Sequence, residues 1–245
     1  MPDVLRAVER FRSDAKAVGL EPRLQLEKAL VHCYPVSCVF LPALSVQAIC
    51  DYLRRHEALL PRALVTCRDR RLRGGIVAQY GYGILFVDRD DPEAESRFTL
   101  AHEAKHFLAD HLYPRLDLLA RFGSGILPVL DGHRPPSREE RIDALLARTD
   151  LAQQTHLLDR ETRSSSGFEV VEADADAFAS ELLAPAASLW LRFPHLFAEE
   201  SAVTQVHEAL VREYALPAGP AMNYARAWVA EQGKPRTLLH RLGLA

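Results

Sequence analysis

Two histidines and a glutamate near the middle of the chain have the types and spacing of a metal site. His102, Glu103 and His106 form the pattern HExxH. Residues four apart in an α-helix lie one turn above each other, so both imidazoles can reach one metal ion. Glu103 lies about 100° around the helix from His102, where it can act as a general base toward water without binding the metal. The pattern therefore predicts a catalytic zinc site.

A third ligand is expected from an acidic segment further along the chain. In EVVEADADAFASELLAP, Glu172 and Asp176 are four apart and share a face with Ala175 and Ala179. These small residues would let the segment approach the HExxH helix closely. Two histidines and one carboxylate leave one zinc position open for water, and Asp176 could accept the free N–H of a ligating imidazole. Glu172 is preferred as the ligand because of its pairing with Asp176, and Glu169 is the alternative.

The neighbouring pattern predicts the elements that position these residues. Ala63–Cys67, Gly75–Ala78 and Gly83–Val87 are short runs of β-type residues separated by glycines, which predict a small antiparallel meander. The helix that carries HExxH should begin at Asp91 and end near Pro114. We therefore predict an α+β fold in which a small antiparallel sheet packs on helices, including the HExxH helix, with a C-terminal helical region.

Other helices are predicted from apolar residues at helical spacing. They cover residues 3–18, 45–56 and 169–183. Residues 115–166 are interpreted as an insertion that contains a loop and then a charged helical segment around 138–158.

Composition and charge exclude several classes of protein. The chain has 245 residues, of which 48% are hydrophobic, and a net charge of −3. These values argue against a disordered chain and against direct nucleic-acid binding. No formal charge lies between Lys28 and Asp51, but prolines and polar side chains there predict buried core with a turn rather than a membrane span. Because no signal peptide pattern opens the chain, we expect it in the cytoplasm.

The cysteines do not predict a metal site of their own. Cys33, Cys38, Cys50 and Cys67 form no CxxC pair, which a cysteine-built zinc site usually contains. One of them could occupy the open zinc position as a gate, although a free cysteine is more often part of the core.

Two longer segments resemble the ImmA/IrrE family of zinc metallopeptidases. RFTLAHEAKHFLADH is similar to the family's rFTlAHElgH segment, and EADADAFASELLAP to its ExxAnxFAxeLLxP segment. The first match comprises Arg97, Phe98, Thr99, Leu100, Ala101, His102, Glu103 and His106. The second comprises Glu172, Ala175, Phe178, Ala179, Glu181, Leu182, Leu183 and Pro185. The resemblance covers about residues 60–190.

The resemblance implies a gluzincin-like fold and a function. It implies one Zn²⁺ per chain, held by His102, His106 and Glu172, with Glu103 as the general base. It also implies cytoplasmic cleavage of a regulatory protein, commonly a helix-turn-helix transcriptional repressor, in a stress, DNA-damage or mobile-element response. The chain departs from the family at Lys105, where glycine is usual, and in the length of residues 107–171, which separate His106 from Glu172.

These expectations divide the chain into a zinc metallopeptidase domain over residues 1–189, with the insertion at about 115–166, and a helical region over 190–245. An extended substrate could add as a strand beside Gly83–Val87. Candidate donors to the oxyanion are Tyr80, Tyr82, His111 and His133. The alternative function is a non-catalytic regulator that binds and sequesters a repressor or antitoxin. The complete HExxH favours the enzyme over the regulator. A change at Glu103 alone would abolish catalysis, and this chain retains Glu103.

Overall fold

The chain forms an α+β fold, as predicted, with a four-stranded sheet. The computed structural model describes residues 2–58, 60–141, 154–160, 169–194 and 201–232. Two compact units are present, residues 1–179 and 180–245. The division falls within the last helix that contributes to the predicted metal site, and the domain boundary predicted at residue 189 stays a prediction.

The first unit contains both helices and strands. Its helices are α1 (Pro2–Ala17), α2 (Leu26–Cys33), α3 (Val46–Arg55), α4 (Arg62–Thr66), α5 (Glu93–Lys105), α6 (Tyr113–Phe122), α7 (Leu127–Leu130) and α8 (Glu169–Leu183), which continues into the second unit. A π-helical segment (His106–Leu112) joins α5 to α6, and a 3₁₀ turn (Gly123–Ile126) precedes α7. The strands are β1 (Val36–Leu41), β2 (Leu72–Gln79), β3 (Tyr82–Asp88) and β4 (Gln154–Asp159).

The sheet has the order β1-β3-β2-β4 and is mixed, whereas the sequence predicted antiparallel strands only. β2 and β3 form an antiparallel hairpin, and β4 pairs antiparallel with β2. β1 pairs in parallel with β3, from Val36 opposite Gly83 to Leu41 opposite Asp88. After helices α3 and α4 the chain enters β2, which runs antiparallel to β1 and leaves room for one strand between them. The hairpin then returns β3 into that position, where it runs parallel to β1.

Two local predictions were wrong. Ala63–Cys67 was predicted as a strand but falls largely in helix α4, because periodicity cannot separate a short buried strand from a single helical turn. The end of the charged segment predicted as helix, around 138–158, forms strand β4, where pairing with β2 overrides the local pattern. Residues 142–153 of that segment lie outside the described part of the chain, as do residues 161–168.

The helix that carries HExxH does not end at Pro114 as predicted. α5 continues through the π-helical segment into α6, and Pro114 lies in the first turn of α6. In a first turn the missing N–H of proline removes no helical hydrogen bond, so the backbone remains helical there. Single π-helical turns occur frequently at functional sites, and this segment begins at His106.

Two glycines let the HExxH helix lie directly against the sheet. A Cβ on Gly83 of β3 would stand 2.5 Å from Cδ2 of Phe107. A Cβ on Gly74 of β2 would stand 2.5 Å from Cγ2 of Thr99. Both distances are shorter than any normal carbon–carbon contact, so side chains at these two positions would force the helix away. On the other face of the sheet, α3 buries Ile49 and Leu53.

The second unit is helical in its described residues. It contains the end of α8, then α9 (Ala186–Arg192), α10 (Ala202–Arg212) and α11 (Ala218–Gln232). Trp190 and Trp228 pack edge to face with ring centroids 5.5 Å apart, and the Tyr224 hydroxyl donates to Glu181 at 2.7 Å. These helices agree with the predicted C-terminal helical region, of which residues 195–200 and 233–245 lie outside the described part. None of the described helices is long and apolar enough to cross a membrane.

We expect Gly83→Ala to lower the free energy of unfolding by about 1–3 kcal/mol, because the added methyl group overpacks the contact with Phe107. Urea unfolding followed by circular dichroism measures the change. Gly125→Ala is the matched control, since a Cβ there meets open space, and its effect should stay within about 0.5 kcal/mol. Equal stability of the two variants would show that the helix does not depend on this close contact.

Candidate metal centre

Four side chains from the first unit converge on one point. His102 lies in α5, His106 begins the π-helical segment, His156 lies in β4 and Glu172 lies in α8. Their ligand atoms all lie within 4.8 Å of one another, so the group could hold a metal ion. The sequence predicted three of these residues, and the structure adds His156.

The distances between the donor atoms suit a small cation. Glu172 Oε2 lies 3.3 Å from His102 Nε2. The other oxygen, Oε1, lies 2.8 Å from His156 Nε2 and 3.9 Å from His106 Nε2. Tetrahedral ligands about 2.0–2.1 Å from a common centre are about 3.3–3.4 Å apart. The observed separations scatter around that value, so one ion could contact the whole group after small side-chain movements.

Two of the imidazole nitrogens are buried without a hydrogen-bond partner. His102 is 2% exposed and His106 is 4% exposed. Neither Nε2 atom makes a hydrogen bond within the part of the chain that the structure describes. Leaving a buried polar atom unpaired costs about 1–3 kcal/mol. Both nitrogens face Glu172, where a cation would accept their lone pairs, and this observation makes the donor set fit a metal.

Each imidazole pairs its second ring nitrogen with a carboxylate. The three Nδ1–oxygen distances are 2.9 Å for His102–Asp176, 2.9 Å for His106–Asp110 and 3.1 Å for His156–Glu103. Donation from Nδ1–H to a carboxylate fixes the tautomer and leaves Nε2 free to bind a metal. All three Nε2 atoms belong to the converging group. The sequence predicted this arrangement for Asp176 and missed it for Asp110.

Asp110 also explains how the site accommodates Lys105, which stands where the resembling family usually has glycine. Lys105 is buried, and its Nζ lies 2.9 Å from Asp110 Oδ2. Burial raises the pKa of Asp110, but the hydrogen bond with His106 and the charge of Lys105 outweigh burial and lower it. The charge of Lys105 is therefore neutralised within one helical turn. Asp110 follows His106 by four residues, so helical spacing contained this signal.

Without a metal, two of the three histidines bind a proton more strongly than usual. Burial lowers the pKa of His102, but the neighbouring carboxylates of Asp176 and Glu172 outweigh burial and raise it to about 9. For His156, Glu103 and Glu172 likewise overcome burial and raise the pKa to about 10. Burial also acts on Glu172, yet its two imidazole partners hold its pKa below the usual range. A metal ion bound here would displace protons from the two histidines.

Glu103 lies beside the donor group rather than within it. Its side chain is 0% exposed, and Oε2 accepts the hydrogen bond from His156 Nδ1. Oε1 has no hydrogen-bond partner among the described residues, and it faces Gly74, whose missing Cβ leaves room for it. Glu103 is thus held against the sheet by its contact with His156.

The remaining predicted candidates do not join the donor group. The side chain of Glu169, the alternative ligand, lies outside the described part of the chain. All four cysteines are free thiols, and none belongs to the group. Two of the proposed oxyanion donors, His111 and His133, are likewise not part of the group, and the oxyanion role of all four candidates stays a prediction. Burial and Arg115 lower the pKa of one of these donors, His111, to about 4.

The predicted substrate strand position is wrong. β3 contains Gly83–Val87 and is paired on one side with β1 and on the other with β2. Its backbone groups are therefore already used in the sheet, and no peptide can add to it. The strand edge that passes the donor group belongs to β2, and β4 covers it.

Comparisons of the chain with protein-family models, with curated proteins and with solved structures find no match. The resemblance to the ImmA/IrrE family therefore remains a prediction from two sequence segments.

We expect metal-free protein to gain thermal stability when zinc is added. An ion that binds only the folded state stabilises it by about 2.7 kcal/mol at a free concentration 100 times the dissociation constant. His106→Ala should remove most of this gain, because it deletes one donor. His32→Ala is the control, since His32 is exposed and outside the group. Equal gains for the two variants in differential scanning calorimetry would contradict a metal site here.

Proposed function

We propose that this chain is a zinc-dependent endopeptidase. One observation carries the proposal. The Nε2 atoms of His102 and His106 are buried without a hydrogen bond and face Glu172, and the carboxylate of Glu103 is buried beside them. A set of imidazole and carboxylate donors suits zinc, with one ion expected per chain. The resemblance of the two sequence segments to the ImmA/IrrE metallopeptidases supports the same reaction.

The side chains suit peptide hydrolysis in the roles that the sequence predicted. His102, His106 and Glu172 would hold the zinc, and Asp176 and Asp110 would orient the two imidazoles. When bound, zinc would supply Lewis acidity that activates water and polarises a peptide carbonyl. Glu103 would accept a proton from the attacking water and deliver it to the leaving amine nitrogen.

A regulatory protein is the proposed substrate. The resemblance points to a helix-turn-helix transcriptional repressor cleaved in the cytoplasm during a stress, DNA-damage or mobile-element response. The net charge of −3 supports a protein substrate over a nucleic acid, because phosphate backbones attract a clear basic excess.

The second candidate is a non-catalytic regulator that binds and sequesters a repressor or antitoxin. One observation favours it: His156 provides a fourth protein donor. Four protein ligands are typical of structural zinc, whereas a catalytic ion keeps one position for water. In this alternative, Glu103 only orients His156, and the metal stabilises a binding surface.

We expect Glu103→Gln to retain zinc and to lower proteolysis by about 100-fold or more, which is the usual contribution of a general base. The substrates to test are helix-turn-helix proteins encoded in neighbouring genes, each co-expressed with this chain and analysed by mass spectrometry. Glu93→Gln, on the exposed first turn of the same helix, is the matched control.

Cleavage at the wild-type rate by the zinc-loaded Glu103→Gln variant would exclude the proposed mechanism. An intact stoichiometric complex between the partner and zinc-loaded wild-type protein, without any cleavage, would support the sequestering regulator instead.

A further inference from the structure

We propose that strand β4 keeps the resting site closed. His156 would serve as a fourth metal ligand, and β4 would occupy the sheet edge along which a peptide binds. This inference rests on the proposed peptidase function and concerns the regulation of that same site. Activity would then require β4 to leave the edge of β2.

The position of His156 suits a ligand better than a more distant catalytic group. Its Nε2 lies 2.8 Å from Glu172 Oε1, within the same small volume as the Nε2 atoms of His102 and His106. Its ring stacks on that of His106 with centroids 4.0 Å apart. With His156 bound, protein donors fill all four positions of a tetrahedral ion, and no position remains for water.

His156 also forms a hydrogen bond with Glu103, the proposed general base. Glu103 Oε2 accepts a hydrogen bond from His156 Nδ1 at 3.1 Å. Its other oxygen faces Gly74 in the buried contact between α5 and β2. A general base must lie within hydrogen-bonding reach of the water that it deprotonates. His156 therefore blocks both requirements of hydrolysis, since it fills the water position and engages the carboxylate.

β4 stands where an extended peptide would bind. It pairs antiparallel with β2 from Ala78 opposite Gln154 to Leu72 opposite Asp159, which places His156 opposite Ile76. Peptides add to an exposed sheet edge through the same backbone hydrogen bonds. Any peptide paired with β2 in this register would therefore bring its own backbone past the donor group. β4 acts as an internal occupant of the substrate position.

Ion pairs hold one end of β4 in place. Arg160 lies 2.9 Å from Asp88 Oδ2 and 2.8 Å from Asp91 Oδ1, and Asp159 pairs with Arg70. Arg160 and Asp159 are partly exposed, so the strength of these pairs depends on salt. Asp88 is fully buried and also contacts Arg71, which would remain if Arg160 were removed. Arg160 can thus be changed without touching any metal donor.

Cobalt-substituted protein provides a direct test of the closed site, with azide as the external ligand. We expect azide to leave the visible cobalt spectrum of the wild type unchanged, because no position is open. In His156→Ala the spectrum should change on addition of azide. The loss of the His156 contacts with Glu103 and Glu172 also weakens the hold of β4 on the edge of β2. Peptide hydrolysis by the zinc form should therefore rise, by up to about tenfold if the open form is about 10% populated in the wild type.

Arg160→Ala is the second variant, and it keeps every donor. We expect faster hydrogen exchange of the β4 amides in the metal-free protein, together with an azide response between those of the wild type and His156→Ala. His32→Ala, which removes an exposed histidine outside the donor group, should behave as the wild type.

Three results would overturn the closed site. The first is a wild-type cobalt spectrum that already responds to azide as His156→Ala does. The second is a loss of hydrolysis in His156→Ala with an unchanged azide response, which would make His156 a catalytic group. The third is unchanged exchange of β4 in Arg160→Ala. If the site opens to azide in His156→Ala but no variant cleaves a peptide, closure stands and the peptidase function fails.

Discussion

Three imidazole nitrogens and one carboxylate converge in the first unit, and the cation that we propose they share would constrain the elements around them. Unpaired buried nitrogens and a buried carboxylate are unfavourable in a medium of low polarity. A metal ion removes that cost only if all donors reach it at once. Metal binding would therefore require α5, β4 and α8 to hold their donors in fixed positions relative to one another.

The fold meets this requirement through close packing and paired charges. Gly74 and Gly83 let the HExxH helix lie flat on the hairpin, where Phe107 and Thr99 touch the strands. Asp110 and Asp176 hold the two helical imidazoles at 2.9 Å. Because Asp110 also neutralises Lys105, a buried lysine next to the site adds no unpaired charge. β4 lies close enough to these helices that its His156 joins the donor group.

Local periodicity was enough to predict part of this arrangement. Helical spacing paired His102 with His106 and Glu172 with Asp176. The need for a third ligand and the family resemblance then joined the two pairs. His156 could not be found in this way, because its place depends on the register of β4 against β2, strands far apart in the sequence. The parallel pairing of β1 also depends on a long connection, and α4 shows that a short apolar run does not distinguish a strand from a helical turn. The structure thus changed the site from three predicted ligands to four.

The most direct test of this account is X-ray absorption spectroscopy at the zinc edge of the reconstituted full chain. The account predicts one zinc per chain, with three imidazoles and one carboxylate about 2.0–2.2 Å away. In His156→Ala, one imidazole should be lost and a water oxygen gained. A spectrum with two imidazoles in the wild type, or with the same number in both proteins, would contradict the participation of His156. Absence of bound zinc would contradict the metal centre itself.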